Sequence, residues 1–257
     1  MNEKVVADIT QTFYDSLAPQ YDKFYLDWDA AVKQEAEFLQ TLFREHGFDP
    51  GARILDCACG IGTQAIGLAA LGWRVSASDL SAGELAEAKK RAAERGVEIC
   101  FKQADFRALQ EVFSEQFDIV IAMDNALPHM LTQQDLASAV RSIADRIRPG
   151  GLFVASIRDY DQILEEQPAY SAPYVHKTAK GRRILFQTWD WAGENYRFTQ
   201  YIIDDEDTPQ VSKFECEYRA TRRAELTELL LAHGCRTVEW RLPEQTGFYQ
   251  PIVIAEK

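Results

Sequence analysis

Residues 54–81 read ILDCACGIGTQAIGLAALGWRVSASDLS, a stretch with the strand, turn, helix and second strand of a βαβ unit. A buried apolar run ends at Asp56, and Gly60 and Gly62 turn the chain into a helix. Glycines let the backbone approach a ligand closely, and the N-terminus of the following helix offers unpaired N–H groups. The next strand ends at Asp79, where a carboxylate can accept hydrogen bonds from both hydroxyls of a ribose. The stretch therefore predicts a site for an adenosine-containing ligand.

The alternation of strand and helix continues along the chain to Arg158. Strand-like runs follow at residues 98–105, 117–124 and 152–157, and helical spacing with N-terminal capping residues falls between them. Strands and helices that alternate at this pace indicate a parallel sheet with helices on both faces. We expect an α/β fold whose ligands bind at the carboxyl ends of the strands.

The segments on either side of this core have a different pattern. Residues 1–50 contain many aromatic side chains, and their apolar residues recur at helical spacing, which predicts an N-terminal helical cap. Residues 149–151, Pro-Gly-Gly, predict a tight turn before the fifth strand. Residues 160–220 hold three β-rich runs separated by turn-like segments, which predicts an antiparallel lid inserted into one domain spanning 1–257. The last two strands are expected to close the chain as a hairpin-like pair.

Composition and charge exclude several classes of protein. The chain has 257 residues, 46% of them hydrophobic and 26% charged, which is typical of a soluble globular protein. Its net charge of −12 argues against nucleic acid and anionic membranes as partners, because both require a basic face. The first ten residues lack the features of a signal peptide, and the five cysteines are an odd number. We expect a cytoplasmic protein, and the sequence leaves its oligomeric state open, a homo-oligomer included.

Residues 60–65, GIGTQA, also fit the G-x-G-x-x-A fingerprint of nicotinamide dinucleotide sites. Asp56 precedes this loop, where a carboxylate would repel a pyrophosphate but attract a cationic sulfonium that carries an amino group. A Y-x-x-x-K pair, common in hydride-transfer enzymes, does not occur in the chain. S-adenosylmethionine is therefore the expected cofactor, and a dinucleotide oxidoreductase is the alternative. Cys57 and Cys59 are expected to be packing thiols and not metal ligands, so no metal is predicted.

Residues 55–62, LDCACGIG, resemble the first motif of class I S-adenosylmethionine-dependent methyltransferases, and the resemblance covers most of the chain. It implies a Rossmann-like, seven-stranded, mostly parallel sheet with an antiparallel last strand. It also implies a methyltransferase activity with S-adenosylmethionine as the cofactor. By this resemblance, the cofactor-binding residues are Asp56, Ala58, Gly60, Gly62, Asp79, Leu80, Asp105, Phe106 and Met123. The narrower resemblance described next adds Tyr14 and Tyr25, near the sulfonium.

A narrower resemblance concerns residues 123–129 and 148–164, which are similar to glycine N-methyltransferase and to its sarcosine- and dimethylglycine-methylating relatives. It implies that Asn125 and Arg158 hold the carboxylate of the substrate. It also implies that lid tyrosines surround the amine, and the nearest matches here are Tyr201 and Tyr218. The chain departs from those enzymes at Asp124, where they carry a small residue, and at Pro128 and Met130. The arginine that binds the cofactor carboxylate in those enzymes has no clear match here, and Lys33 is a candidate.

The expected reaction is methylation of a small molecule, most simply at the nitrogen of an amine or amino acid such as glycine or sarcosine. Such a transfer requires alignment and exclusion of water, and needs no dedicated base if the proton leaves to water. O-methylation of a small metabolite is an alternative, with His129 in the substrate site as the first candidate for the base. A protein that binds S-adenosylmethionine without turning it over is a further alternative. A nucleic-acid methyltransferase is disfavoured because no N/D-P-P-Y/F run follows the fourth strand, where residues 123–128 read MDNALP.

Overall fold

A computed structural model of the protein describes residues 3–257, with side chains from Ile9 onwards, so the first two residues of the predicted 1–50 cap lie outside it. The helices are α1 (Glu3–Leu17), α2 (Trp28–Glu45), α3 (Thr63–Ala70), α4 (Ala82–Glu94), α5 (Gln133–Asp145), α6 (Tyr160–Glu166), α7 (Arg223–Ala232) and α8 (Pro243–Thr246). The strands are β1 (Arg53–Asp56), β2 (Arg74–Asp79), β3 (Cys100–Gln103), β4 (Phe117–Ala122), β5 (Ile147–Ser156), β6 (Tyr174–Lys177), β7 (Arg182–Ala192), β8 (Asn195–Asp205), β9 (Gln210–Arg219), β10 (Thr237–Arg241) and β11 (Ile252–Glu256). Between residues 3 and 257, no helix is both long and apolar enough to span a bilayer.

The central sheet has seven strands in the order β3-β2-β1-β4-β5-β11-β10. Strands β1 to β5 run parallel, and β11 is antiparallel to both of its neighbours, β5 and β10. The strand order reverses between β1 and β4, so the loops after these strands diverge and leave a crevice at their carboxyl ends. The Rossmann-like α/β fold predicted from the sequence is confirmed.

Side-chain caps set where the helices around the sheet begin. Asp27, Ser81, Thr132 and Asp159 each accept a hydrogen bond from a backbone N–H of the first turn of α2, α4, α5 and α6, respectively. Each cap places the loop before its helix close to the sheet edge. The caps of α4, α5 and α6 thereby fix the loops that follow strands β2, β4 and β5, from which ligand-binding residues are drawn.

A second, four-stranded antiparallel sheet with the order β6-β7-β8-β9 follows β5, as predicted. The three β-rich runs expected from the sequence correspond to β7, β8 and β9, whereas α6 and β6 were not predicted. One face of this sheet packs against α1 and α6 through a hydrophobic cluster that includes Phe13, Leu17, Tyr160, Tyr196 and Tyr218. The small sheet and α1 thus form a wall on the carboxyl side of the central sheet.

The tight turn predicted at Pro149-Gly150-Gly151 is present as a local loop within the bounds of β5, because Gly150 has a φ angle of 73° and a Cβ at Gly151 would lie 2.9 Å from the carbonyl oxygen of Arg148. The pairing of β4 with β5 shifts register between Phe117 and Ile119, which makes the segment an irregularity inside the strand. A Cβ at Gly151 would lie only 2.8 Å from the Asp118 carbonyl oxygen. Glycine therefore serves both a tight local turn of the chain and a close approach of β4 and β5 here.

Candidate active site

A cavity of about 830 Å³ opens at the carboxyl ends of β1, β2 and β4, with α1 on one side. Among the residues predicted to bind the cofactor, those that line this cavity are Tyr14, Ala58, Gly60, Asp79, Leu80, Asp105, Phe106 and Met123. Asp56 and Gly62 belong to the same loop but do not line the cavity, and Tyr25 lines a neighbouring one. We call this space the cofactor cavity.

The loop after β1 has a backbone that requires glycine at two positions. Gly60 and Gly62 have φ angles of 51° and 90°, in the left-handed region that other residues rarely adopt. A Cβ at Gly62 would also lie 2.8 Å from the Cδ1 atom of Ile66. The loop therefore turns sharply into α3, and it brings bare backbone to the floor of the cofactor cavity.

Asp79 ties the two ligand-binding loops together. Its carboxylate accepts hydrogen bonds from the backbone N–H groups of Gly60, at 2.8 Å, and Ser81, at 2.9 Å. Burial raises the pKa of Asp79, and these backbone hydrogen bonds lower it in part. A carboxylate oxygen can accept more than one hydrogen bond, so Asp79 can still accept two from the hydroxyls of a ribose.

Two buried carboxylates near this loop have oxygens without partners. Among the described residues, nothing donates to Oδ2 of Asp56 or to either carboxylate oxygen of Glu84. Burial raises the pKa of both groups. Neither carboxylate lines the cofactor cavity. The fit of S-adenosylmethionine therefore rests on Asp79, which lines the cavity and can accept hydrogen bonds from the ribose hydroxyls, and on the bare backbone at Gly60.

Asp105 and Phe106 line the cofactor cavity beyond β3, as expected, but Asp105 is already paired. Its carboxylate accepts hydrogen bonds from the guanidinium group of Arg107 at 2.6 and 2.9 Å. Arg107 also reaches Asp135 at 3.2 Å. The pairing fixes the Asp105 side chain at the cavity wall and neutralises part of the local negative charge.

A second cavity, of about 1520 Å³, lies between the cofactor cavity and the small sheet. Tyr14, Tyr21 and Asp124 line both cavities, so the two spaces meet at these side chains. Nearly half of the residues that line the second cavity are aromatic, and Arg158, just after β5, also lines it. We call it the acceptor cavity because a molecule bound there would lie beside one in the cofactor cavity.

Arg158 is a cation without an anionic partner, because no carboxylate of the described residues lies within ion-pair distance of it. Its Nη1 donates to the hydroxyl of Tyr196 at 3.0 Å, and its Nη2 donates to Oε1 of Gln187 at 3.2 Å. The guanidinium carbon lies 4.9 Å from the centre of the Trp189 ring. Burial lowers the pKa of Arg158, but the surrounding tyrosines outweigh this effect, so its pKa lies above the usual value and the group stays charged.

Known methyltransferases resemble this chain over most of its length. Residues 54–151 match the profile of a family described as a methyltransferase domain. Glycine N-methyltransferase of Mus musculus is 36% identical over 239 residues, which are 86% of this chain and 80% of that protein. The chain belongs to the class I S-adenosylmethionine-dependent methyltransferases.

Two further similarities concern one relative in sequence and one solved structure. Glycine/sarcosine N-methyltransferase of Parasynechococcus marenigrum is 30% identical over 155 residues, which are 60% of this chain and 54% of that protein. This chain therefore spans about half the length of that relative. The S-adenosylmethionine-bound amino pentose methyltransferase CalS10 of Micromonospora echinaspora shares the fold with a TM-score of 0.71 at 19% identity, over 88% of this chain and 91% of that one. The predicted enzyme class and cofactor are confirmed.

Asn125 lines the acceptor cavity, but both ends of its side-chain amide are bound within the methyltransferase itself. Its Oδ1 accepts from the backbone N–H of Arg158 at 3.0 Å, and its Nδ2 donates to the hydroxyl of Tyr160 at 3.0 Å. Tyr160 in turn contacts the hydroxyl of Tyr196 at 2.8 Å. Asn125 therefore positions the backbone of Arg158, and the chain of hydroxyls supports the guanidinium group.

His129, predicted in the substrate site, lines the cofactor cavity and not the acceptor cavity, and it is held by its neighbours. Its Nε2 is 2.8 Å from the hydroxyl of Tyr14, and its ring stacks on Tyr218 with 4.2 Å between centres. Burial lowers the pKa of His129 to about 3, with Arg158 adding to the effect, so the ring is neutral. Tyr218 lines the acceptor cavity, and the centre of its ring lies 5.6 Å from the guanidinium carbon of Arg158.

The structure does not bring Tyr201 to the cavity, although the sequence predicts it as a substrate-binding residue. Tyr201 lines neither cavity, and its ring stacks on Phe186 at 4.8 Å. Side chains alternate between the two faces of a strand, and Tyr196 lies on the opposite face of β8 from Tyr201. It is Tyr196 whose hydroxyl contacts Arg158. The pattern of β8 marks both tyrosines, but the sequence has no signal for which of its faces is turned inward.

Proposed function

We propose that this methyltransferase transfers a methyl group to the nitrogen of a small amine that also carries a carboxylate, as glycine and sarcosine do. The observation that carries the proposal is the unpaired Arg158 cation in the wall of the acceptor cavity. S-adenosylmethionine, when bound, supplies an electrophilic methyl group on a cationic sulfur. The residues of the chain supply the position of the acceptor and a site from which water is excluded.

Arg158 is suited to a carboxylate by its geometry as well as by its charge. A guanidinium group has five N–H donors, and the structure assigns two of them to Tyr196 and Gln187. A planar carboxylate can accept two of the remaining donors in parallel. A partly buried cation is costly when unpaired, so an anionic substrate would stabilise the site and be bound selectively.

Nitrogen is favoured over oxygen as the methylated atom because the site has no suitable base at His129. An O-methyl acceptor needs a group that removes the hydroxyl proton, and His129 was the first candidate. The low pKa of His129, about 3, makes it a weak base, and its Nε2 is already bonded to Tyr14. A neutral amine has a lone pair and needs no such base at the moment of attack.

The wall between the two cavities supports alignment of acceptor and cofactor. Tyr14 and Tyr21 line both spaces, and burial raises the pKa of both hydroxyls well above 10, so they remain neutral donors and acceptors. Aromatic side chains such as Phe13, Trp189 and Phe198 form much of the remaining wall of the acceptor cavity. Such a wall excludes water and strengthens the electrostatic interactions inside it. The glycine and glycine/sarcosine N-methyltransferases similar to this chain also support the choice of nitrogen.

The test is a comparison of matched acceptors with a readout of S-adenosylhomocysteine. Glycine, sarcosine, dimethylglycine and larger amino acids are compared with amines of the same size that lack the carboxylate. We expect amino acids to be methylated with a higher kcat/KM than their carboxylate-free counterparts. Preference for carboxylate-free amines or for hydroxyl acceptors would contradict the proposal, and binding of the cofactor without product from any acceptor would favour a non-catalytic protein.

A further inference from the structure

The turn after β4 holds two consecutive non-glycine residues in a left-handed conformation. Asp124 and Asn125 have φ angles of 56° and 69°, a conformation that is uncommon outside glycine. The backbone N–H of Asp124 donates to Oγ of Ser156 at 2.7 Å, and that of Asn125 donates to the carbonyl of the same residue at 3.0 Å. The end of β5 thus holds the turn in place and turns the Asp124 side chain toward both cavities.

The Asp124 carboxylate is held at a fixed position by two donors. Its Oδ1 accepts from the hydroxyl of Tyr249 at 2.6 Å, and its Oδ2 accepts from Nε2 of Gln64 at 2.8 Å. The same nitrogen of Gln64 donates to Oε2 of Glu35 at 2.6 Å. Two carboxylates that accept from one amide nitrogen lie close together, and their negative charges would repel each other. Protonation of one of them is therefore favoured over ionisation of both.

Glu35 is the member of this pair that carries the proton at neutral pH. Burial, with Asp124 as a second cause, raises the pKa of Glu35 to about 9, so Glu35 is protonated at neutral pH. Burial also raises the pKa of Asp124, but the hydrogen bonds from Tyr249 and Gln64 oppose this effect. Glu35 lines neither cavity, whereas Asp124 lines both, so Asp124 is the carboxylate of the pair that faces the ligands.

Asp124 and Arg158 face the acceptor cavity with opposite charges, and no ion pair joins them in the described part of the chain. Both are fixed to the same framework, because Ser156 holds the turn of Asp124 and Asn125 holds the backbone of Arg158. A cavity with a separate anion and cation in its wall is complementary to a molecule that has both charges. An amino acid in its zwitterionic form is such a molecule.

We propose that Asp124 binds the ammonium group of the acceptor and accepts its proton, while Arg158 binds the carboxylate of the same molecule. In this step one N–H bond of the ammonium group breaks, its electron pair stays on nitrogen, and an O–H bond forms on Asp124. The resulting neutral amine has the lone pair that methylation requires. The inference rests on the proposed function, because it assigns Asp124 as the partner of the amino group of the same acceptor whose carboxylate Arg158 binds.

The groups around Asp124 leave a usable pH range for a test. The titratable groups that face it are Glu35 of α2, Asp56 at the end of β1, Tyr21 and Tyr25 after α1, and Tyr249 before β11. Burial raises the pKa of each of these groups, so the three tyrosines are neutral below pH 10. Between pH 6.5 and 8.5, Glu35 is also largely protonated, because its pKa is about 9.

The experiment compares Asp124→Asn with the wild type and with Asp190→Asn, which removes the same charge from an exposed position of β7. Asparagine has the size of aspartate and tolerates the left-handed backbone, so the variant is expected to fold. We expect kcat/KM for an amino acid to fall at least about tenfold at pH 7, because the ammonium loses its partner. It should then rise about tenfold per pH unit in the variant, because only acceptor already deprotonated in solution reacts, while the wild type and Asp190→Asn change little.

Affinity for S-adenosylhomocysteine, measured by calorimetry, distinguishes an effect on the acceptor cavity from an effect on the cofactor cavity. We expect Asp124→Asn to change it by less than about threefold. A variant whose pH profile runs parallel to that of the wild type, or one that loses S-adenosylhomocysteine affinity as strongly as kcat/KM, would overturn the inference. Failure of the proposed function is distinct, because it would appear in the wild type as a preference for amines without a carboxylate.

Discussion

Replacement of Arg158 by lysine is expected to weaken the acceptor site without changing the cofactor site. Lysine keeps the positive charge, but it has one nitrogen where the guanidinium group has three. The single ammonium cannot keep both internal hydrogen bonds, to Tyr196 at 3.0 Å and Gln187 at 3.2 Å, and also bind a carboxylate through two donors. Arg158 lines the acceptor cavity and not the cofactor cavity, so affinity for S-adenosylmethionine should be unaffected.

The size of the effect follows from the hydrogen bonds that are lost. A hydrogen bond to a charged group contributes about 1.5–3 kcal/mol, and loss of one such bond to the substrate carboxylate lowers kcat/KM by about 10- to 150-fold. The assay is steady-state kinetics of the wild type and Arg158→Lys with an amino acid and with the matching carboxylate-free amine. The variant should lose its advantage for the amino acid and retain the slow reaction of the amine. Equal kcat/KM values of the two proteins for the amino acid would refute the role of Arg158.

Three other predictions follow from the described contacts. Asp79→Ala should lower affinity for S-adenosylhomocysteine at least about tenfold in calorimetry, because it removes an acceptor of charge-assisted hydrogen bonds; unchanged affinity would make Asp79 only a structural residue. Tyr160→Phe leaves the buried Nδ2 of Asn125 without an acceptor, which should destabilise the fold by about 1–3 kcal/mol and lower the melting temperature by roughly 2–12 °C; an unchanged melting temperature would contradict this. Burial lowers the pKa of His129 from the ordinary value of about 6.5 to about 3 in the folded protein, so between these pH values mainly the unfolded chain binds the proton. The free energy of unfolding should therefore fall as the pH decreases through this range. In urea unfolding from pH 7 to pH 5, the wild type should lose on the order of 2 kcal/mol more than His129→Gln, and equal losses would show that His129 is not buried in the neutral form.

The cofactor site could be predicted from the sequence because its features are local. An apolar run that ends in Asp56, followed by Gly60 and Gly62, defines a strand, a turn and the start of a helix. The alternation of strands and helices then places Asp79 at the same edge of the sheet, since parallel strands end at the same side. The structure has all four residues at this edge, and two of them, Gly60 and Asp79, line the cofactor cavity.

The acceptor site could be predicted only in part because it depends on how distant elements pack. The resemblance to the glycine N-methyltransferase group predicts Arg158 as a residue that binds the substrate carboxylate, but the choice between Tyr196 and Tyr201 depends on which face of β8 packs against α1 and α6. Alternation along a strand defines two faces and does not say which one is buried.

The carboxylate cluster beneath Asp124 could not be predicted for the same reason. Glu35, Gln64 and Tyr249 come from three separate parts of the chain, and no spacing in the sequence connects them. Asn125 was expected to hold the substrate directly, yet its amide is used to hold the backbone of Arg158. A side chain that positions another residue has the same sequence signal as one that contacts a ligand.

The most informative measurement follows a labelled methyl group from the cofactor to the acceptor. The wild-type protein is incubated with S-adenosylmethionine that carries a ¹³C-methyl group and with an equimolar mixture of an amino acid and its carboxylate-free amine, and the products are identified by NMR. We predict that the label appears on the nitrogen of the amino acid in preference to the amine, together with an equal amount of S-adenosylhomocysteine. Label on an oxygen, or predominantly on the carboxylate-free amine, would contradict the account of the site built on Arg158.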